Sequence, residues 1–331
     1  MSYFRKTDQA VHWFSGVGKD QKWLILISAD PDSMASAMAL RRIFKGRGVT
    51  ADIAAINEVR RPDNLAMIRY TRLNMRRYSE DLTGAYSRFA LVDSQPSHNP
   101  QFEGLRFSLV VDHHPPATAP GKDLFMEIKP EYGATSTIFT EYLYNLKLRI
   151  GARLATALQF GIRTDTGNFQ RHVSEVDLRA YQYLNKFADA HLLTRIIHSE
   201  LLLGWLPHVA KAIANRRKIG SGHLVVLDKV DSPDILVLIA DLLTRVYEIR
   251  WLIVAGVYAG VVVLIFRGDG LTMDVGRLAQ SRFDALGSAG GHKAMARAEF
   301  PLEAVGGERL AHFIRRRLSA RESKTGDRSA K

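Results

Sequence analysis

The 331-residue sequence contains no cysteine. Disulfides, thiolate metal ligands and cysteine nucleophiles are therefore excluded, and any metal must be held by oxygen and imidazole donors. A signal-peptide pattern is also missing. The first twenty residues carry Arg5, Lys6, His12 and Trp13 and no continuous apolar core. The apolar stretch 251–266 is shorter than the ~20 residues a membrane helix needs, and Gly256 and Gly260 interrupt it. It reads instead as two buried strands joined by a tight turn at Tyr258-Ala259-Gly260. A cytoplasmic protein is expected. Acidic residues are in deficit, 34 against 46 Lys plus Arg, for a formal net charge of +12. A basic surface favours phosphate-rich partners. That lean is weak, because part of the excess sits in Arg315, Arg316, Arg317 and the polar tail beyond them.

This length suggests two domains. In the N-terminal half, short apolar runs at 23–27, 52–56, 89–92 and 107–111 alternate with helix-like stretches. Runs of four or five apolar residues suit strands buried on both faces of a parallel sheet. Between the first two, residues 36–45 carry Met38, Ala39, Ile43 and Phe44 at helical spacing, closed by Gly46 and Gly48. The fold class expected is α/β: an N-terminal doubly wound, mainly parallel sheet plus a smaller C-terminal α/β domain, with a cleft between them. Residues 136–146 and 152–160 read as further helices. Residues 174–215 read as a long helical pattern between the domains, with a break near 187–191. The boundaries expected are 1–186 for the first domain, 187–215 for a helical linker and 216–320 for the second. In the second domain, strands at 223–227, 251–257 and 261–266 go with helices at 235–246, 273–283 and 303–318. The tail 321–331 is expected to be disordered.

Three apolar runs end in an acid. The first leads into Asp30-Pro31-Asp32, the third into Asp93 and the fourth into Asp112-His113-His114. Ligands of an open parallel sheet bind outside the carboxyl ends of its strands. Carboxylates emerging there would converge and repel one another, and a divalent cation is the usual remedy. A fourth acid, Asp165, lies in 161–167, read as a loop after a helix. Any one such Asp is more often a turn former or helix cap. Four of them with a His-His pair point to a metal site.

The string Asp112-His113-His114 resembles the signature of the DHH phosphoesterase family. Asp30-x-Asp32-x-x-x-Ser36, Val92-Asp93, Gly133-Ala134-Thr135-Ser136 and Thr164-Asp165-Thr166-Gly167 resemble its other motifs. Gly290-Gly291-His292 resembles the signature of the DHH-associated C-terminal domain. Together they span roughly residues 22 to 300. The resemblance implies up to two Mn²⁺ ions (Mg²⁺ being an alternative) that share Asp93. One ion would be held by Asp32, Asp93, His113 and Asp165. The other would be held by Asp30, Asp93 and an upstream histidine or aspartate. The chain departs from the pattern there, with Leu26 and Ser28 at the positions available.

The resemblance further implies that His114 faces the scissile phosphate and that Asp112 orients an imidazole. Ser36, Arg163, Arg267, Gly290, Gly291 and His292 would contact substrate, Arg267 as a phosphate clamp and the glycines as an anion-binding nest. The activity implied is two-metal hydrolysis of short oligonucleotides or small nucleotides, as in nanoRNases, bisphosphate nucleotidases and dinucleotide phosphodiesterases. Two alternatives stand beside it. One is a nucleotide-binding protein impaired in catalysis by the departure at Leu26. The other is a pyrophosphatase or polyphosphatase, against which the Gly-Gly-His segment argues. A homodimer is allowed and a membrane partner is not expected.

Overall fold

The structure, a computed structural model, describes residues 3–102, 104–117 and 124–319. The tail 321–331 lies outside the described residues. The chain divides into two compact units, 1–200 and 201–331.

The first unit is built on six parallel strands: β1 (Lys22–Ile27), β2 (Thr50–Ala55), β3 (Arg76–Arg77), β4 (Arg88–Val92), β5 (Phe107–Asp112) and β6 (Phe125–Ile128). Their order is β3-β2-β1-β4-β5-β6, so the chain reverses direction across the sheet between β1 and β4. Seven α-helices among the described residues accompany them: α1 (Asp8–Ser15), α2 (Pro31–Gly46), α3 (Pro62–Thr71), α4 (Thr135–Asn145), α5 (Ala152–Asp165), α6 (Glu175–Leu184) and α7 (Ala190–Ile197). After Lys22, β1 is apolar because both its faces are covered. Trp23, Ile25 and Ile27 pack into the core that holds α2, α4 and α5. Leu24 and Leu26 point the other way, toward Tyr86, Leu91, Phe102 and Val110.

Helix α2 begins where β1 ends. Asp30 is its N-cap, Pro31 fixes the first helical φ, and Ser33 completes a reciprocal capping box. Helix α5 runs on to Asp165, five residues beyond the expected end at 160, because Ile162 continues the buried stripe. Asp165 is therefore the last helical residue and not part of a loop. The helical pattern at 174–215, with its expected break near 187–191, divides into α6, α7 and α8 (Leu206–Asn215), the first gap lying between Leu184 and Ala190. Of these, α7 packs on α3 and α5 in the first unit and α8 on the sheet of the second.

The second unit holds a six-stranded sheet of β7 (Arg217–Ile219), β8 (Gly222–Lys229), β9 (Trp251–Tyr258), β10 (Val261–Gly268), β11 (Ser288–Gly291) and β12 (Met295–Pro301). The order is β11-β12-β10-β9-β8-β7, antiparallel except between β8 and β9. Helices α9 (Pro233–Leu243), α10 (Val275–Phe283) and α11 (Leu310–Ser319) complete it, and a core lies on each face. The stretch 251–266 is a hairpin, as its sequence implies. Ala259 (φ 49°) and Gly260 (φ 81°) make the two-residue turn, whose twist suits antiparallel strands. The expected helix 303–318 is interrupted: Gly306 and Gly307 take φ of 67° and 78°, outside the helical region, and α11 starts at Leu310. No helix among the described residues is long and apolar enough to cross a membrane.

Candidate metal centre

The carboxyl ends of β1, β4 and β5 deliver Asp32, Asp93 and His113 to one place, and the C-terminus of α5 adds Asp165. One donor atom from each of these four residues lies within 4.8 Å of the others. Asp32 is fully buried in the first turn of α2. Its Oδ2 accepts from the Thr135 amide at 2.6 Å and its Oδ1 from the Ser136 amide at 2.8 Å. These amides open α4, whose own N-cap residue, Ala134, has no side-chain acceptor to offer. Asp32 thus caps α4, and the helix dipole holds the carboxylate in place.

Asp93 leaves β4 with φ at 58°, a left-handed conformation that Asp tolerates better than most residues. Its amide donates to Val111 and its Oδ1 accepts from Thr135 Oγ1 at 2.8 Å. His113 places Nδ1 3.1 Å from the Tyr132 carbonyl. With Nδ1 the donor, the Nε2 lone pair faces the acids, 3.2 Å from Asp165 Oδ2 and 3.6 Å from Asp93 Oδ1. That nitrogen is buried and makes no well-formed hydrogen bond among the described residues. An imidazole whose far nitrogen is fixed by a carbonyl, with the other aimed among three carboxylates, is a prepared ligand for a divalent cation. All donors are oxygen or imidazole nitrogen, which suits a metal such as Mn²⁺.

The electrostatics agree. Burial, then the charge of Asp165, raises Asp32 to about 7 and Asp30 to about 6. Asp93 is pushed well above the usual carboxylate range by burial and by Asp32 and Asp30. Burial works against the charged form of His113, but Asp165 and Asp32 outweigh it and lift the group to about 9. Without a cation these acids compete with each other for protons.

Asp112 is fully buried, and its Oδ1 accepts from His114 Nδ1 at 2.8 Å and from the His113 amide at 2.9 Å. Burial pushes its pKa up, but the hydrogen bonds from His114 and Gln95 outweigh that and hold it low. The same contact raises His114, whose half-exposed ring turns Nε2 away from Asp112.

Some expected residues are placed differently. The Asp30 carboxylate does not join the four-residue group, because its Oδ1 accepts from the Ser33 amide at 2.8 Å as the α2 cap. Leu26 is fully buried in the apolar core behind the sheet, and Ser28 is exposed. Ser36 is buried on α2, its Oγ without a partner among the described residues. Arg163 lies on the last turns of α5, near Asp165 in sequence. In the second unit, Arg267 does not present a free guanidinium: Nε meets Asp241 Oδ1 at 2.6 Å and a terminal nitrogen donates to the Phe266 carbonyl. Gly290 and Gly291 form the edge strand β11, and the His292 amide donates to Met295 at 2.7 Å in the turn into β12. A Cβ on Gly291 would lie 2.3 Å from the Met295 carbonyl, so close strand approach accounts for the glycine.

Three residues with no place in the sequence reading hold the site together. Gln95 is fully buried and donates to Asp112 Oδ2 at 2.8 Å and to the Pro115 carbonyl at 3.0 Å, while accepting from the Ala117 amide at 2.7 Å. Asp177 receives the Gly133 amide at 2.8 Å and the Thr137 hydroxyl at 2.5 Å, and so fixes the segment that Asp32 caps. Gly161 lets α5 touch α2, since a Cβ there would meet Ser136 Oγ at 2.6 Å and the Asp32 Cα at 3.0 Å. Only Gly161, a glycine inside a helical pattern, carries a signal that sequence reading could have used.

The chain is similar to several known proteins. The model of the DHH family, N-terminal domain, matches residues 22–162. A curated, uncharacterised protein of Methanocaldococcus jannaschii is 31% identical over 277 residues, which is 83% of this chain. The chain spans only 57% of that relative's length. Among solved structures, an exopolyphosphatase-related protein from Bacteroides fragilis superposes with a TM-score of 0.71 at 14% identity, covering 94% of each chain. RecJ from Thermus thermophilus in complex with Mn²⁺ gives a TM-score of 0.52 at 12% identity, covering 96% of this chain and 55% of that one. At such identities the likeness is one of fold.

Proposed function

Because residues 22–162 make this chain a member of the DHH family, we propose that it is a metal-dependent phosphoesterase acting on short oligonucleotides or small nucleotides. The observation that carries this reading is the convergence of Asp32, Asp93, His113 and Asp165, with Nε2 of His113 buried among the carboxylates and 3.2 Å from Asp165 Oδ2. Those four side chains would hold Mn²⁺ or Mg²⁺. The cation would supply Lewis acidity toward phosphoryl oxygens and make a nucleophilic water available near neutral pH.

The protein's own groups do the rest. The amides of Thr135 and Ser136 keep the Asp32 carboxylate in one orientation, so little reorganisation accompanies binding. Asp112 fixes the ring of His114 and favours its protonated form, and Gln95 fixes Asp112 in turn. His114 thereby offers a positive N–H donor to the charge that develops on the phosphoryl group. The basic composition favours an anionic substrate.

Leu26 favours a second reading, nucleotide binding without turnover. An apolar residue in the core cannot act as the ligand expected for a second ion. A hydrolysis panel with and without Mn²⁺ separates the two: a linear dinucleotide, a five-nucleotide RNA, a 3′,5′-bisphosphate nucleotide, cyclic dinucleotides and pyrophosphate. Mn²⁺-dependent cleavage of a nucleotide class supports the enzyme and names its substrate. Nucleotide binding with no cleavage of any of them supports the second reading. Cleavage of pyrophosphate alone would overturn the nucleotide assignment.

A further inference from the structure

At the other end of α2 and α5 lies a cavity of about 1200 Å³, lined entirely by residues of the first unit. Four of its lining residues are cationic: Arg41, Arg42 and Lys45 from the last turns of α2, and Arg153 from the first turn of α5. The metal centre is remote from it. The three α2 cations come nine to thirteen residues after Asp32, roughly 14–20 Å along a helix that rises 1.5 Å per residue. Arg153 precedes Asp165 by a similar stretch of α5.

None of the four cations forms a salt bridge among the described residues. Arg41 donates to the Asn74 carbonyl and Arg42 to the Arg149 carbonyl, which orients both guanidinium groups without neutralising them. Burial lowers the pKa of Arg41, and the charge of Asp52 offsets only part of that, as for a cation that has lost solvent without a carboxylate in contact. Helix α5 also begins here uncapped, with Gly151 as N-cap and no side chain accepting from its first amides. Gly151, Ala152, Arg153 and Leu154 all line the cavity, so the positive end of the helix faces it. The one acid on the wall, Asp189, is committed as the cap of α7, its Oδ1 accepting from Leu192. Between the charges the wall carries an apolar portion, with Met38, Val49 and the buried Leu154, beside Thr50, Tyr70 and Asn74.

We propose that this cavity is a second binding site, separate from the metal centre, for a small ligand that combines phosphate groups with an apolar ring, the chemistry of a nucleoside mono- or diphosphate. Four unneutralised cations and a helix N-terminus recognise the phosphates, and the apolar wall takes the ring. The site is independent of whether the metal centre turns over.

Lys45 and Arg153 are exposed and belong to no core, so reversing both charges leaves the fold intact. Binding of ADP, pyrophosphate and adenosine to the full chain is measured calorimetrically without added divalent ions, in the wild type, in K45E/R153E and in D93N. The proposal expects ADP to bind more tightly than pyrophosphate or adenosine. It also expects K45E/R153E to weaken ADP at least about tenfold, as loss of charge-assisted contacts should, and D93N to leave ADP unchanged. ADP binding that survives the double reversal overturns the site, as does binding lost in D93N, which would place the ligand at the metal centre. Absence of ADP binding to the wild type overturns it too. Adenosine matching ADP would overturn the phosphate assignment, and pyrophosphate matching ADP would overturn the apolar one.

Discussion

Asp93 holds a positive φ while also lying at the centre of the acidic group, so its substitution has to spare the backbone. Asparagine tolerates the left-handed region, which makes Asp93→Asn the informative change. We expect it to keep the fold and to lose Mn²⁺-dependent hydrolysis by three orders of magnitude or more, read from initial rates. Near-normal rates would remove Asp93 from the centre. Gln95 is the subtler residue. It touches Asp112 and the chain beyond His114 but none of the four proposed ligands. Gln95→Ala should therefore lower kcat by about 10–100-fold, the usual cost of losing a group that orients an active-site side chain. KM and Mn²⁺ affinity should change little. A loss confined to KM would move Gln95 from positioning His114 to contacting substrate. Asp32 and Asp93 were legible because each follows an apolar run. Gln95 was not, since nothing in Ser94-Gln95-Pro96 shows that its amide reaches a carboxylate on the next strand.

Helices α2, α4 and α5 decide how closely the acids approach. Gly161 faces α2 and α4 with no room for a side chain, its missing Cβ 3.0 Å from the Asp32 backbone. Gly161→Val has to push α5 away from that contact. Overpacking of this kind costs about 1–3 kcal/mol, and Asp165, four residues further along the same helix, moves with it. The expected outcome is a lower Tm together with weaker Mn²⁺ binding, followed by thermal denaturation and metal titration. An unchanged metal affinity would show that α5 can shift without carrying Asp165 out of the group. The strands and most helices follow from periodicity, but helix ends do not. The expected helix at 303–318 overlooked what Gly306 and Gly307 do to the backbone.

For the whole molecule, the acidic group couples stability to pH. Asp32 is raised from 3.8 to about 7, so in the metal-free protein its contribution is fully present below about pH 4 and is lost as pH rises through 7. His113 is raised from 6.5 to about 9, so its contribution is present below 6.5 and lost as pH rises through 9. Both act in the same direction. The site destabilises the metal-free chain increasingly between pH 5 and pH 9, and a bound cation removes that burden. Saturating Mn²⁺ at about one hundred times its Kd adds about 2.7 kcal/mol, or roughly 5–10 °C in Tm for a unit of this size. The shift should be large at pH 8 and small at pH 5.5, where protons occupy the carboxylates, as differential scanning fluorimetry can measure. An equal shift at both pH values would place the metal elsewhere.

The sequence by itself determined the α/β class, the acids at the strand ends and the hairpin at 251–268, because apolar runs, their length and the residues that end them are local properties. Family membership was legible for the same reason: the Asp-x-Asp, Val-Asp and Asp-His-His strings keep their identity when read in order. The family resemblance implied which acids meet, but how they are brought together rests on the tertiary fold. Asp32, Asp93, His113 and Asp165 are as much as 133 residues apart in the chain. They are brought within 4.8 Å by strand order, the capping of α4 by Asp32 and the absence of a side chain at Gly161. The tertiary fold also decided that Asp30 caps α2, that Arg267 is engaged by Asp241, and that four cations share one cavity at the far end of α2 and α5. Packing sets those distances, and a one-dimensional pattern carries no distance between residues far apart along the chain.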